Sequence, residues 1–343
     1  KKIHIEFSDE RLITPSGLVF VGQILEKAVL LKKSTLRKDI QQANVDMLRE
    51  MHIEPTALDN GFVPVDIDVT PFDNSKSNKE GVSRTYKGFD GYAPIMAYIG
   101  TEGYLVNLEL WIGKQHCQKE TPDFLRETIE LCRQLTEKPL LIRLDSGNDA
   151  SENIGIFMEE SYKYNNVSFI IKRNPRQESK EEWRDPSGNA ADETVIDLYH
   201  AHGESVQYHS EIKTDMDVER LPSGKFESNK LVLELTMIAY NILRIIGQES
   251  LKKKDAPGRK KIHRRRIRTV ISNLMQFAGH LTEHAGRRYC PLEGVIAGDL
   301  LSSVFMTALH SSPDNRQLNM AMAAAHKWCS LFLNAKLCSI FKI

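Results

Sequence analysis

Cysteine is scarce in this 343-residue chain and is not arranged for any obvious task. Cys117, Cys132, Cys290, Cys329 and Cys338 make five, an odd number with no C-x-x-C pair among them. That pattern indicates neither a disulfide framework nor a thiolate zinc site, and it fits a reducing cytoplasm. The eleven histidines show no H-E-x-x-H spacing, so no helix-borne metal pair is indicated. Cys117 adjoins His116, but no third residue can be named to orient them, so the two read as a packed or loop pair, not a nucleophile and its base. The opening KKIHIEFSDE lacks an apolar signal core, and since it begins without methionine the natural start is expected upstream. No uninterrupted apolar run is long enough for a membrane. The longest, Leu231 to Gly247, is broken by Glu234, Asn241 and Arg244, which predicts a buried helix.

Net charge is also absent overall, with 46 basic side chains against 46 acidic ones, but the balance is uneven along the chain. Arg244 to Cys290 holds thirteen Lys or Arg and three Asp or Glu, so that segment is +10 and the remainder is −10. A neutral protein can therefore carry a strongly basic surface. The 41% hydrophobic and 27% charged content is that of a soluble globular protein, long enough for one large domain or two ordinary ones.

The most informative stretch is VPVDIDVTPF, Val63 to Phe72. Val63, Val65, Ile67 and Val69 alternate with Asp66, Asp68 and Thr70, which predicts a strand with one apolar face. Aspartate is a poor strand former, so two of them on one face suggest a need for negative charge there, most often a divalent metal. PLLIRLDSG, Pro139 to Gly147, reads as a buried strand ending at Asp145. Two aspartates on neighbouring strands could share one ion; a lone one is more often a turn or cap residue.

Apolar spacing predicts two helices between Ser16 and Glu50 (Val21, Ile24, Leu25, Ala28, then Leu36, Ile40, Ala43, Met47). The polar loop Asp73 to Tyr92 is either a disordered tip or a basic substrate-contacting loop. Pro94 to Gly100 and Tyr104 to Gly113 read as a hairpin. A helix follows with Thr121 as N-cap and Pro122 at its first position, then the Asp145 strand, a helix near Glu152 to Asn165 and a strand Val167 to Asn174. Pro175 to Glu193 is a loop or insertion, Thr194 to about Asp215 a helix, and Leu231 to Ile246 a long apolar helix. The order strand, strand, strand, helix, strand, helix, strand predicts an α/β fold: an RNase H-like mixed sheet flanked by helices, with helical N- and C-terminal additions. The expected regions are an N-terminal helical region over 1–58, the core over 59–247 and a basic C-terminal part over 248–343.

GVSRTYKGFDGYAPIMAYIGTEGYL, KPLLIRLDSGND and QYHSEIKTDMDVERLPSGKF resemble bacterial DDE-type transposases, specifically the insertion-sequence 1380 family within the group related to insertion sequence 4. The resemblance runs from about Asp59 to Gly279. It implies three carboxylates holding two Mg2+ ions and metal-dependent nicking of transposon ends followed by strand transfer. It further implies double-stranded DNA (transposon ends and target) as partner, a homodimer on DNA, no membrane and a bacterial cytoplasm.

By that resemblance Asp68 is the first acid, with Asp66 as its fallback, and Asp145 is the second. The third belongs to a signature Tyr-x2-Arg-x3-Glu-x6-Lys. Tyr199 and Lys213 fall at its ends and are implied to contact DNA phosphate, but His202 stands at the arginine and Val206 at the glutamate. On one α-helix, positions 199, 202, 206, 210 and 213 share a face, whereas Glu204 and Glu211 point away. Glu211 is the substitute acid only if the helix is broken or shifted; His202 and His209 lie nearer that face, and their imidazoles would suit Mn2+ better than Mg2+. The family's large insertion is reduced to about 20 polar residues near 175–193, the N-terminal region is short, and 297–343 match no known pattern. A decayed or internally deleted copy, catalytically inactive but still DNA-binding as a relic or inhibitor, is the alternative reading, and a nuclease acting on another nucleic acid is a third.

Lys252 to Arg268 carries ten Lys or Arg and one acid, Asp255. Arg259, Lys260, Lys261, Arg264, Arg265, Arg266 and Arg268 are the candidate phosphate contacts. Ile267, Val270, Ile271, Leu274 and Phe277 recur at helical spacing beneath them, which would anchor a basic helix; a solvated charge run is the plainer reading.

Overall fold

A computed structural model describes residues 11–13, 37–174, 193–252, 261–275, 279–284 and 287–289. The first predicted N-terminal helix and the 175–192 loop lie outside them. Helix α1 is Arg37–Glu50. The central sheet is built from β1 (Val63–Val69), β2 (Ile95–Ile99), β3 (Tyr104–Glu109), β4 (Leu140–Leu144) and β5 (Val167–Ile171). Its spatial order is β3-β2-β1-β4-β5. The first three strands pair antiparallel as consecutive neighbours, and β4 and β5 join parallel to β1 and to each other. Helices α2 (Thr121–Arg133) and α3 (Ser151–Tyr164) provide the crossovers. This is the RNase H-like arrangement expected from the element order.

Both faces of the sheet are covered, because the apolar residues of β1 and the strands beside it are buried together with Asp66 and Arg143. The edge strand β3 is blunted by side chains. Asn241 donates to the Leu105 carbonyl at 2.7 Å and accepts from its amide at 2.9 Å, while Asn44 donates to the same carbonyl at 3.0 Å. The outward amide and carbonyl of Leu105 are thereby satisfied inside the protein.

Several boundaries differ from expectation for local reasons. β1 stops at Val69 rather than Phe72, because Pro71 has no amide to donate and the Thr70 amide turns to the Pro94 carbonyl. The 73–92 loop is partly ordered into a small antiparallel sheet of residues 72–73, 90–92 and 83–84. Thr121 is not the N-cap of α2: Glu120 is, at φ 67, and Thr121 donates from Oγ1 to the Cys117 carbonyl.

The largest difference is in the predicted helix 194–215, which changes winding three times. α4 (Glu193–His200) passes into a 3-10 turn (Ala201–Glu204), then α5 (Ser205–Ser210), then a π-helical turn (Glu211–Asp215). Gly203 weakens the α-helix where the pitch first changes, and side chains anchored on the sheet then fix where each turn falls.

Helix α6, Phe226–Lys252, is longer than the predicted apolar core of it. The chain divides into two units, Lys33–Asn241 with the central sheet, and a second one from which Arg11–Ile13 and the described residues beyond Asn241 come. In the second, Arg11–Ile13 pairs antiparallel with Gly279–His284, which pairs with Arg287–Tyr289. There the Arg244 guanidinium donates to the Arg265 carbonyl at 2.7 Å.

Candidate active site

The register of β1 on β4 sets Asp66 against Arg143 and Ile67 against Leu144. Alternate strand residues share a face, so Asp66 with Asp68, and Arg143 with Asp145, project to one side. The next positions along that register are Asp68 and Asp145. A pair of opposite charges is thus followed, one step along the same face, by a pair of like charges.

The first pair is closed. Arg143 donates Nε and Nη2 to the two Asp66 oxygens at 2.6 and 2.8 Å, and both side chains are only 3% exposed. Nη1 of Arg143 reaches the Leu198 carbonyl at 2.9 Å, and His202 Nδ1 lies 2.9 Å from Asp66 Oδ1. The fallback first acid is therefore committed to binding the 193–204 segment onto the sheet, as buried charges require.

The second pair is open. Asp68 takes its neighbour's Val69 amide at 2.7 Å, and His209 Nε2 stands 3.3 Å from its Oδ2, an ion-pair distance whose N–H direction falls short of a good hydrogen bond. Burial works to raise the Asp68 carboxyl, but His209, His202 and the Val69 amide together hold it below the ordinary carboxylate range. His209 is itself placed by Tyr98 Oη at 3.2 Å from its Nδ1. Asp145 caps a 3-10 turn, accepting from Asn148 Nδ2 at 2.8 Å and the Gly147 amide at 3.2 Å. Its carboxyl is pushed up, first by burial and then by Asp68, against the pull of those bonds and His202.

Other groups crowd the same two carboxylates. The Tyr86 and Tyr199 hydroxyls and the Cys117 thiol are all raised, by burial first and by Asp68 and Asp145 after it. Lys213 is lowered by burial while Asp68 opposes the shift, and its Nζ donates to the Pro71 carbonyl at 2.5 Å. The helical segment thus brings Tyr199, His202, His209 and Lys213 to the pair. Val206, at the signature's acid position, is 63% exposed and offers no ligand atom. Glu204 is exposed, and Glu211 is buried with Tyr240 Oη 3.4 Å from its Oε2. Nothing in the sequence marks Tyr86. Arg143 was legible in principle, since its spacing to Asp145 repeats that of Asp66 to Asp68.

Two carboxylates that repel one another are the electrostatic complement of a cation, and magnesium commonly takes one or two carboxylates with water and phosphate completing its shell. The donor set fits one such ion. It does not supply a carboxylate of its own for a second, and imidazole, the nearest further donor, suits manganese better than magnesium. Among the described residues, no group of three or more His, Cys, Asp or Glu side chains is placed to hold a metal.

In the basic segment Lys261, Arg266 and Arg268 are exposed and Arg264 is half-buried. Arg265 is turned inward, 2% exposed, with Nε donating to Ser250 Oγ. Arg259 and Lys260 lie outside the described residues.

No family model matches the chain, and no curated protein matches it. Among solved structures it is similar to a piggyBac transposase in a synaptic complex with hairpin DNA, at 11% identity and a TM-score of 0.39 over 88% of this chain. That match covers 63% of the other chain, so the chain spans less than two thirds of that protein's length.

Proposed function

We propose that the chain is a DDE-type DNA transposase by descent, of the insertion-sequence 1380 kind, which binds double-stranded DNA through a site reduced to two acids. The observation that carries this reading is that Asp68, on β1, and Asp145, the residue just after β4, follow the closed Asp66–Arg143 pair and act on one another electrostatically. A bound Mg2+ or Mn2+ would polarise the scissile phosphate and activate a water.

The chain's own residues have distinct parts in this scheme. Asp68 and Asp145 hold the ion, and His209, positioned by Tyr98, orients Asp68. Tyr199 and Lys213 contact the phosphate beside it. The Asp66–Arg143–His202 cluster holds Tyr199 and the histidines at the right height over the sheet. Because Val206 supplies no third carboxylate, strand cleavage is weak or absent while DNA binding persists, as expected of a relic or an inhibitor. A homodimer on DNA and a bacterial cytoplasm belong to the same proposal.

The test uses purified full-length protein and duplexes carrying the ends of the element that encodes it. The parent should bind them with steep salt dependence and leave them intact with Mg2+, whereas Val206→Glu should nick at the ends. Efficient cleavage by the parent would show that another group already fills the third position. A parent that binds no DNA would end the proposal altogether.

A further inference from the structure

One hairpin beside the acid pair has no part in the scheme above. Ser83–Arg84 pairs antiparallel with Asp90–Tyr92. The turn is closed by the Thr85 amide to the Phe89 carbonyl at 2.8 Å and the Gly88 amide to the Thr85 carbonyl at 3.0 Å. Gly88 is at φ 83, where a β-carbon would be strained. Its tip residues are Tyr86 and Lys87.

Tyr86 is 68% exposed, yet it is anchored, because its Oη donates to the Val69 carbonyl at 3.2 Å, next in the chain to Asp68. The hydroxyl also feels both Asp68 and Asp145, so this end of the ring lies beside the pair. The rest of the ring faces solvent, with Lys87 Nζ over one face at 5.9 Å from the centroid. An aromatic plate fixed at its polar edge loses little freedom when something flat is laid on it. Every nucleobase presents such a flat face, and the adjoining Lys87 ammonium matches the phosphate that comes with it.

We propose that Tyr86 is a stacking platform for an unpaired base at a DNA strand end, with Lys87 on the adjoining phosphate, so that the end is seated over Asp68 and Asp145. This rests on the DNA-processing reading and deepens it: the ligand is an end with a single-stranded nucleotide rather than continuous duplex.

The experiment uses the full chain in EDTA, so that cleavage plays no part. The probes are a blunt duplex and the same duplex with a short 3′ single-stranded extension carrying the fluorescent base 2-aminopurine at its terminus. The parent should prefer the extended end and quench the probe. Tyr86→Phe keeps the ring and should still quench. Tyr86→Ala should abolish quenching and weaken binding of the extended end about tenfold more than binding of the blunt duplex. Tyr162→Ala, which removes a tyrosine 80% exposed on α3, should behave as the parent. Circular dichroism melts check that each variant folds. If Tyr86→Ala quenches and binds like the parent, or if the parent binds both probes without quenching, the platform is refuted and the DNA-binding reading stands. If the parent binds neither probe, both fall.

Discussion

Asp66 and Asp68 lie two residues apart on one strand face, and replacing each by alanine should have opposite kinds of consequence. Asp66→Ala leaves the Arg143 guanidinium at 3% exposure with the Leu198 carbonyl and without its bidentate partner. Breaking a buried ion pair from one side costs about 3–5 kcal/mol, because the remaining charge is desolvated and uncompensated. Against a total stability of about 5–15 kcal/mol this is a large fraction, and at about 2–4 °C per kcal/mol it lowers the melting temperature by roughly 6–20 °C. Asp68→Ala removes one of two repelling carboxylates from an open position and should change stability by about 1 kcal/mol or less. Thermal and urea unfolding followed by circular dichroism, without divalent ions, decide the matter. Combining Asp66→Ala with Arg143→Met should recover part of the loss, since the stranded charge is gone. The reasoning fails if Asp66→Ala melts within about 2 °C of the parent, or if Asp68→Ala is the more damaging of the two.

Two further outcomes follow from the site and the basic segment. The folded Asp145 carboxyl is raised by burial and Asp68, so its contribution to stability is fully present below the unfolded value of about 3.9 and is lost as pH rises through the raised folded value. Relative to Asp145→Asn, the ion-free parent should therefore lose stability over that window. Mn2+ or Mg2+ should restore it above that window, and an equal shift in Asp145→Asn would place the ion elsewhere. In DNA titrations against salt, replacing Arg266 or Arg268 by alanine should flatten the log–log slope by about 0.9 per lost phosphate contact. Arg265→Ala should instead lower the melting temperature with the slope unchanged, and the reverse pattern would mean that its inward placement is wrong.

The strand alternation of Val63 to Val69 and the order of elements could be read from residue types, because burial on a sheet enforces a period of two whatever surrounds it. The helical segment could not be read in the same way. A helix of constant pitch sets Val206 beside His202, yet the pitch is set by distant partners: Asp66 holding His202, Asp68 drawing His209, and Tyr208 Oη reaching the Thr101 carbonyl at 3.1 Å. Composition marks none of these anchors. Arg143 is masked for a related reason, since a charged residue inside LLIRL reads as an irregularity until its partner across the strand is known. Glu120 likewise gives no sign of taking the cap from Thr121, because its left-handed backbone is imposed by the preceding turn.

The closed ion pair also governs how the two central strands can align. Slippage by one residue would turn the acids to the opposite face of the sheet. Slippage by two in one direction would bring Asp66 opposite Leu141, and in the other would face it with Asp145. Either misalignment strands a charge in the interior and is disfavoured for that reason. The spacing of Asp68 and Asp145 is then inherited from an interaction that never touches a substrate.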